Sequence, residues 1–260
     1  MLEFAGDERW WSAPCPGSQW LEHCALWRPR DPDQLTTGEH ETAVLLLAGT
    51  FDLVGGSTAW PARGARQDAF AGRPMAVYLP PRTAFRVGNG GGQILLLAAR
   101  QPAVREVATG REALAAKPLL PLAGSGKAFD PVRGEWLPAE AFPTSPESLP
   151  PRRFERIAVG ACTVERVFAP DYKAATLSID EVVVPAGATL RLADVPGRPR
   201  CDEVLLFVRT SATAQVGADE VRGDAAFLSP GAGDATSIRA ATDAPVYVAI
   251  AYAGKPASGS

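Results

Sequence analysis

Histidine and cysteine are both scarce in this chain: among 260 residues there are two histidines, His23 and His40, and four cysteines, Cys15, Cys24, Cys162 and Cys201. The cysteines are too few and too scattered for a disulfide framework, and no two form a CxxC pair, so buried thiols in a reducing compartment are expected. Cys201, beside Asp202, has no histidine near it in sequence, which argues against a thiolate nucleophile. No apolar run approaches the roughly 20 residues that span a bilayer. The N-terminus, MLEFAGDERWW, is acidic and aromatic, unlike a signal peptide. A cytoplasmic protein without a membrane partner is therefore expected. The chain also lacks a GxSxG, a P-loop and a GxGxxG between strand and helix; GNGGG at 88–92 reads as a turn between strands. A net charge of −3 with a pI near 5.5 gives no electrostatic basis for a nucleic-acid partner.

What the chain does have is an ordinary globular composition, 46% hydrophobic and 21% charged, and an internal repeat. Glu41, Val44 and Gly55 recur 162 positions on as Glu203, Leu206 and Gly217. The stretch around Pro80, GRPMAVYLPPRTAFRV, matches RGDAAFLSPGAGDATSI around Pro230, and QILLLAARQPA from Gln93 matches PVYVAIAYAGKPA from Pro245. The repeated unit is an acid opening an apolar strand, a Gly-marked turn, a hairpin with a Pro-containing tip and a closing apolar strand. That is the pattern of a small antiparallel barrel used twice. A first barrel over 1–117, a Pro/Gly-rich linker over 118–151, a second barrel over 152–254 and a disordered tail over 255–260 are expected. The one helical stretch is AVREVATGREALAAK, up to Lys117. Trp10, Trp11, Trp20 and Trp27 either complete the first core or pack against a second copy, and a homodimer through this segment is expected.

These blocks resemble the two motifs of the cupin superfamily, duplicated as in a bicupin. The first half resembles the uronate isomerase group within it, 5-deoxy-glucuronate isomerase and 5-keto-4-deoxyuronate isomerase. The resemblance is carried by Glu41 to Gly49, by RGARQDAFAG from Arg63 leading into MAVYLPP, and by ILLLAARQPA from Ile94. In the second half it is carried by EVVVPAG from Glu181, by Glu203 with its strand, and by FLSPGAG from Phe227. It implies an all-β fold of two cupin-type (double-stranded β-helix, jelly-roll) barrels in tandem. It also implies a divalent metal in the second barrel, held by two histidines before the acid, the acid itself and one histidine after the Pro turn. Here ADVPGRPRC precedes Asp202 and Glu203, and the place after Pro230 falls on Asp234 or Ala235. A three-histidine centre cannot be assembled from one chain of this sequence. Glu203, Asp194, Asp202 and Asp234 would make an oxygen-only set suited weakly to a hard ion, so no metal or other cofactor is expected. His40 directly precedes Glu41, which along a strand puts the two on opposite faces.

The second barrel's pocket is expected near Arg191, Glu203, Phe207, Asp234 and Tyr247. Aldose–ketose isomerisation needs a base to move a proton between neighbouring carbons and an electrophile to steady the enediolate. Glu203, its pKa raised by an apolar barrel, is the candidate base and Asp234 the second acid. Arg191 or Arg200 is the candidate electrophile or carboxylate clamp, with Phe207 and Tyr247 lining the substrate. The expected function is that of an isomerase-like cupin of reduced or absent activity. A non-enzymatic sugar- or small-acid-binding or sensor cupin, or a structural pseudoenzyme, are the alternatives.

Overall fold

Strand alternation decides where almost every apolar side chain of this protein goes. The computed structural model describes residues 2–3, 10–29, 33–55, 58–71, 74, 76–79, 81–100, 127–130, 135–138, 155–168, 176–199, 201–231 and 233–254. The first half is built from β2 (Trp10–Pro14), β3 (Leu21–Trp27), β4 (Asp33–Thr36), β5 (His40–Gly55), β6 (Thr58–Arg66), β7 (Ala76–Leu79) and β8 (Ala84–Arg100). They form one sheet in the order β2-β3-β8-β5-β6, with β4 on β8 and β7 on β5. The second half contains β11 (Glu155–Val159), β12 (Cys162–Phe168), β13 (Leu177–Val184), β14 (Thr189–Arg191), β15 (Glu203–Val216), β16 (Asp219–Pro230), β17 (Ser237–Ala240) and β18 (Val246–Ala253). Its order is β16-β15-β18-β13-β12-β11, with β17 bridging β14 and β15. All these pairings are antiparallel. The all-β reading therefore holds, and the long strands that each pair with several partners wrap the sheets toward closed barrels.

Two details refine the expected layout. The first strand, β1 (Leu2–Glu3), pairs with Ala225 and Ala226 of β16, so the leading segment contributes to the second sheet. Within the expected linker, β9 (Lys127–Asp130) and β10 (Glu135–Pro138) make an antiparallel hairpin. The helix expected from Ala103 to Lys117 and the tail 255–260 lie outside the described residues. Among the described residues no helix is long and apolar enough to cross a membrane.

Three apolar clusters follow from strand parity. Trp27, Val44, Leu46, Phe85, Ile94 and Leu96 fill the first barrel. Val164, Val182, Val204, Leu206, Val248 and Ile250 fill the second. Leu21, Leu45, Leu97, Leu205, Phe207 and Tyr247 form a third cluster that joins the outer faces of the two sheets. Trp27 sits in the first core with Trp10 and Phe85 edge-on to it, each at 6.1 Å, while Trp11 and Trp20 pack against the joining cluster. Of these four tryptophans only Trp10 is exposed, at 39%. Cys15, Cys24 and Cys162 are free and buried, as expected of structural thiols.

The β5–β8 pairing shifts register on both sides of Gly49, and two glycines make the close backbone approach there possible. Gly49 pairs with Gly92 and their φ values are +95 and +148°. A Cβ on Gly49 would lie 1.9 Å from the Gly91 carbonyl oxygen, and one on Gly92 would lie 2.0 Å from that of Ala48. Backbone cannot yield as a side-chain tip can, so Gly49→Ala is expected to cost about 2–3 kcal/mol. Chemical denaturation of the variant checks this.

Candidate functional site

The repeated acids, Glu41 and Glu203, each open a long strand with the side chain on the outer face, in phase with Leu45 and Phe207. Each reaches the other half. Glu203 accepts hydrogen bonds from the Ser18 hydroxyl and from the amides of Gln19 at 2.5 Å, Trp20 at 3.1 Å and Leu21 at 3.2 Å. Glu41 accepts them from the Thr176 amide at 2.8 Å, the Thr176 hydroxyl and the Tyr78 hydroxyl at 3.0 Å. Ser18 to Leu21 lead into β3 and Thr176 leads into β13, so the two acids form a reciprocal clasp at equivalent places. Burial pushes the Glu203 carboxyl up, but these hydrogen bonds outweigh it and hold the group below the usual glutamate range. This corrects the expectation of a raised pKa inside an apolar barrel: Glu203 faces out of its barrel.

Phe207 and Tyr247 share that outer face. Tyr247 lies edge-on to Phe207 at 6.3 Å and under the Arg66 guanidinium at 5.5 Å. Arg66 pairs with Glu181 at 2.8 Å with both side chains almost wholly buried. Arg191 is exposed on β14. Asp234 is exposed and pairs with Arg198, and Arg200 lies outside the described residues. The expected residues therefore do not line one pocket: Glu203, Phe207 and Tyr247 share a strand face turned to the other half, while Arg191 on β14 and Asp234 on a turn are exposed.

The polar groups that do point into the barrels are different ones. In the second, Arg166 donates to Asp180 at 3.2 Å, to Glu155 at 3.0 Å and to the Pro196 carbonyl at 3.1 Å, next to Tyr252. Burial raises the Asp180 carboxyl despite Arg166, and burial followed by the Asp180 charge raises the Tyr252 phenol. In the first, a bulge between Leu21 and His23 changes the phase of β3, so that His23 turns inward with Ala25 and Trp27. His23 pairs with Ala98 on β8, as does Thr42 on β5, and His40 pairs with Arg100. Glu22 binds Arg100 at 2.5 Å and lies 3.8 Å from His40. Arg100 also donates to the Ser18 carbonyl at 2.9 Å. The hydrogen bond from Arg100 holds Glu22 below the usual carboxylate range. Burial, then the nearby His40, lowers the His23 pKa.

With two imidazoles in the chain, NMR resolves each. His23 is expected to titrate below 6.5, and His40→Gln to move it upward by removing the neighbouring imidazole that lowers it.

These donors do not fit the metal centre that the cupin resemblance implies. Glu203 is turned away from its barrel, both histidines are at the first mouth, and no three His, Cys, Asp or Glu side chains among the described residues converge on a point that could hold an ion. His40 and Glu41 do face opposite ways, as alternation requires. His23 escaped sequence reasoning because a bulge has no reliable signature in a single sequence.

Residues 28–115 match the family model described as KduI/IolB family. An IolB-like protein from Salmonella typhimurium LT2 superposes with a TM-score of 0.61 at 16% identity, over 94% of this chain and 92% of that one. Oxalate decarboxylase from Bacillus subtilis gives 0.48 at 12% identity, over 95% and 72%. A Cupin 2 conserved barrel domain protein from Leptotrichia buccalis gives 0.42 at 7%, over 96% and 92%. No curated protein matches the chain. The stretch 28–115, which holds His40, Glu41, Ala98 and Arg100, is thus similar to the KduI/IolB family, and the chain has the cupin fold.

Proposed function

We propose that this protein is a sugar-acid-binding cupin related to the uronate isomerases, with isomerase activity reduced or absent and no resident metal. The family match over 28–115 supports a sugar acid as ligand. The observation that carries the loss of activity is the placement of Glu203. The acid that opens the second barrel's long strand is held by Ser18 and three backbone amides on the outer face. A group so engaged, with a lowered pKa, is a poor proton acceptor for a substrate carbon. Asp234, the other expected acid, is tied to Arg198 at the surface.

Calorimetric titration with galacturonate and glucuronate, alongside proton exchange at the carbon next to the carbonyl in deuterated water, tests the reading. Binding with exchange no faster than in buffer is expected. Rapid exchange and ketose formation would show a working isomerase, and no binding of either sugar acid would leave a purely structural role.

A further inference from the structure

We infer that the ligand site lies at the mouth of the first barrel, where His23, His40, Glu22 and Arg100 gather around Ala98, and that it takes a small hydroxy-carboxylate. This rests on the sugar-acid reading above and gives it a place.

The two barrels serve as controls for each other. The clasp acids fix the register: Glu41 pairs with Ala99, and Glu203 with Ala253. One residue earlier on the closing strand the side chain points inward. That residue is Ala98 in the first barrel and Tyr252 in the second, opposite Thr42 and Val204. In the second mouth the position is taken by a phenol ring, and Arg166 beside it has each of its three nitrogens engaged by Asp180, Glu155 or Pro196. None of its nitrogens is left without a protein acceptor there. In the first mouth the same position carries only a methyl group, flanked by Thr42 and His23.

The groups around that methyl suit an oxygen-rich anion. Arg100 uses Nε on Glu22 and Nη1 on the Ser18 carbonyl, and its Nη2 makes no hydrogen bond among the described residues. His40 Nδ1 is buried and has no hydrogen-bond partner among them either. An unfilled guanidinium nitrogen can take a carboxylate oxygen, and an imidazole can donate to or accept from a hydroxyl. Glu22 neutralises Arg100 in the absence of ligand and keeps the guanidinium aimed along the rim.

The test is a histidine-detected NMR titration of the full chain with galacturonate, run beside calorimetry on the wild type, Arg100→Gln and Ala98→Tyr. Both imidazole signals are expected to move saturably. Arg100→Gln is expected to weaken galacturonate at least tenfold while leaving the weaker binding of neutral galactose unchanged. Ala98→Tyr, which gives the first barrel the residue of the second, is expected to abolish binding. Because a ring at a fully buried alanine can disturb folding, Arg100→Gln, at a side chain 44% exposed, is the deciding variant. Galacturonate that binds by calorimetry while both imidazoles stay still and Arg100→Gln keeps wild-type affinity would overturn this site and leave the sugar-acid reading standing. Absence of calorimetric binding would overturn both.

Discussion

Arg66→Met is expected to lower stability by about 3–5 kcal/mol at pH 8, the cost of leaving a buried carboxylate without its counter-charge, and by much less at pH 5. Arg66 leaves the end of β6 and is 5% exposed. It donates to the carbonyls of Leu46, Ala69 and Ala71 as well as to Glu181, so one side chain ties the first barrel's β5 and the turn at 69–71 to β13 of the second. Burial outweighs Arg66 and raises the Glu181 carboxyl from 4.5 to about 7. Glu165 across the β12–β13 pair, itself bound to Arg156 at 2.6 Å, adds to the rise, while Tyr247 faces Glu181 from β18. The fold therefore holds this proton more tightly than the unfolded chain does. Between pH 4.5 and about 7 the native state carries more protons, so this contribution is fully present below 4.5 and is lost as pH rises through 7. It amounts to about 3 kcal/mol as an order of magnitude. Glu181→Gln is expected to flatten the stability profile across that window, and urea midpoints measured from pH 5 to pH 8 check both variants.

Glu203→Ala is expected to cost about 3–4 kcal/mol, because the Ser18 hydroxyl and the amides of Gln19, Trp20 and Leu21 lose a charged acceptor at a buried joint. Its pH dependence runs opposite to that of Glu181. The folded pKa of Glu203 lies below 4.5, so the stabilisation is present above 4.5 and is lost as pH falls through the folded value. Glu203→Gln keeps one acceptor oxygen but points an amide NH2 at donors, and should lose about 1–2 kcal/mol. Trp20 donates into this clasp and packs on the joining cluster, so its fluorescence reports local opening while global unfolding is followed by circular dichroism. A shift of Trp20 emission at pH 4 that is missing in Glu203→Ala would assign the acid transition to this joint.

The repeat makes the architecture legible in the sequence. Glu41 and Glu203, 162 residues apart in sequence, occupy the same register against their closing strands, and Val44 and Leu206 both point inward. Which way the faces point was not legible, for a physical reason. The first six residues of β15, Glu203 to Val208, are all buried because one face packs into the barrel and the other onto the neighbouring half. With both faces apolar the period of two disappears, so Phe207 and Tyr247 read equally well as pocket walls or as joint residues. His23 was hidden by the bulge beside Glu22, which reverses the direction of one side chain without altering the pattern around it. The Arg66–Glu181 pair joins residues 115 apart in sequence and leaves no local trace at all.

A crystal structure of the protein with galacturonate tests the central claim most directly. The account predicts the sugar acid at the first barrel's mouth, its carboxylate on Arg100 and a hydroxyl on His40 or His23, with Tyr252, Asp180 and Arg166 unmoved in the second barrel. A sugar acid bound inside the second barrel, with Tyr252 displaced and Arg166 released from Asp180, would contradict it.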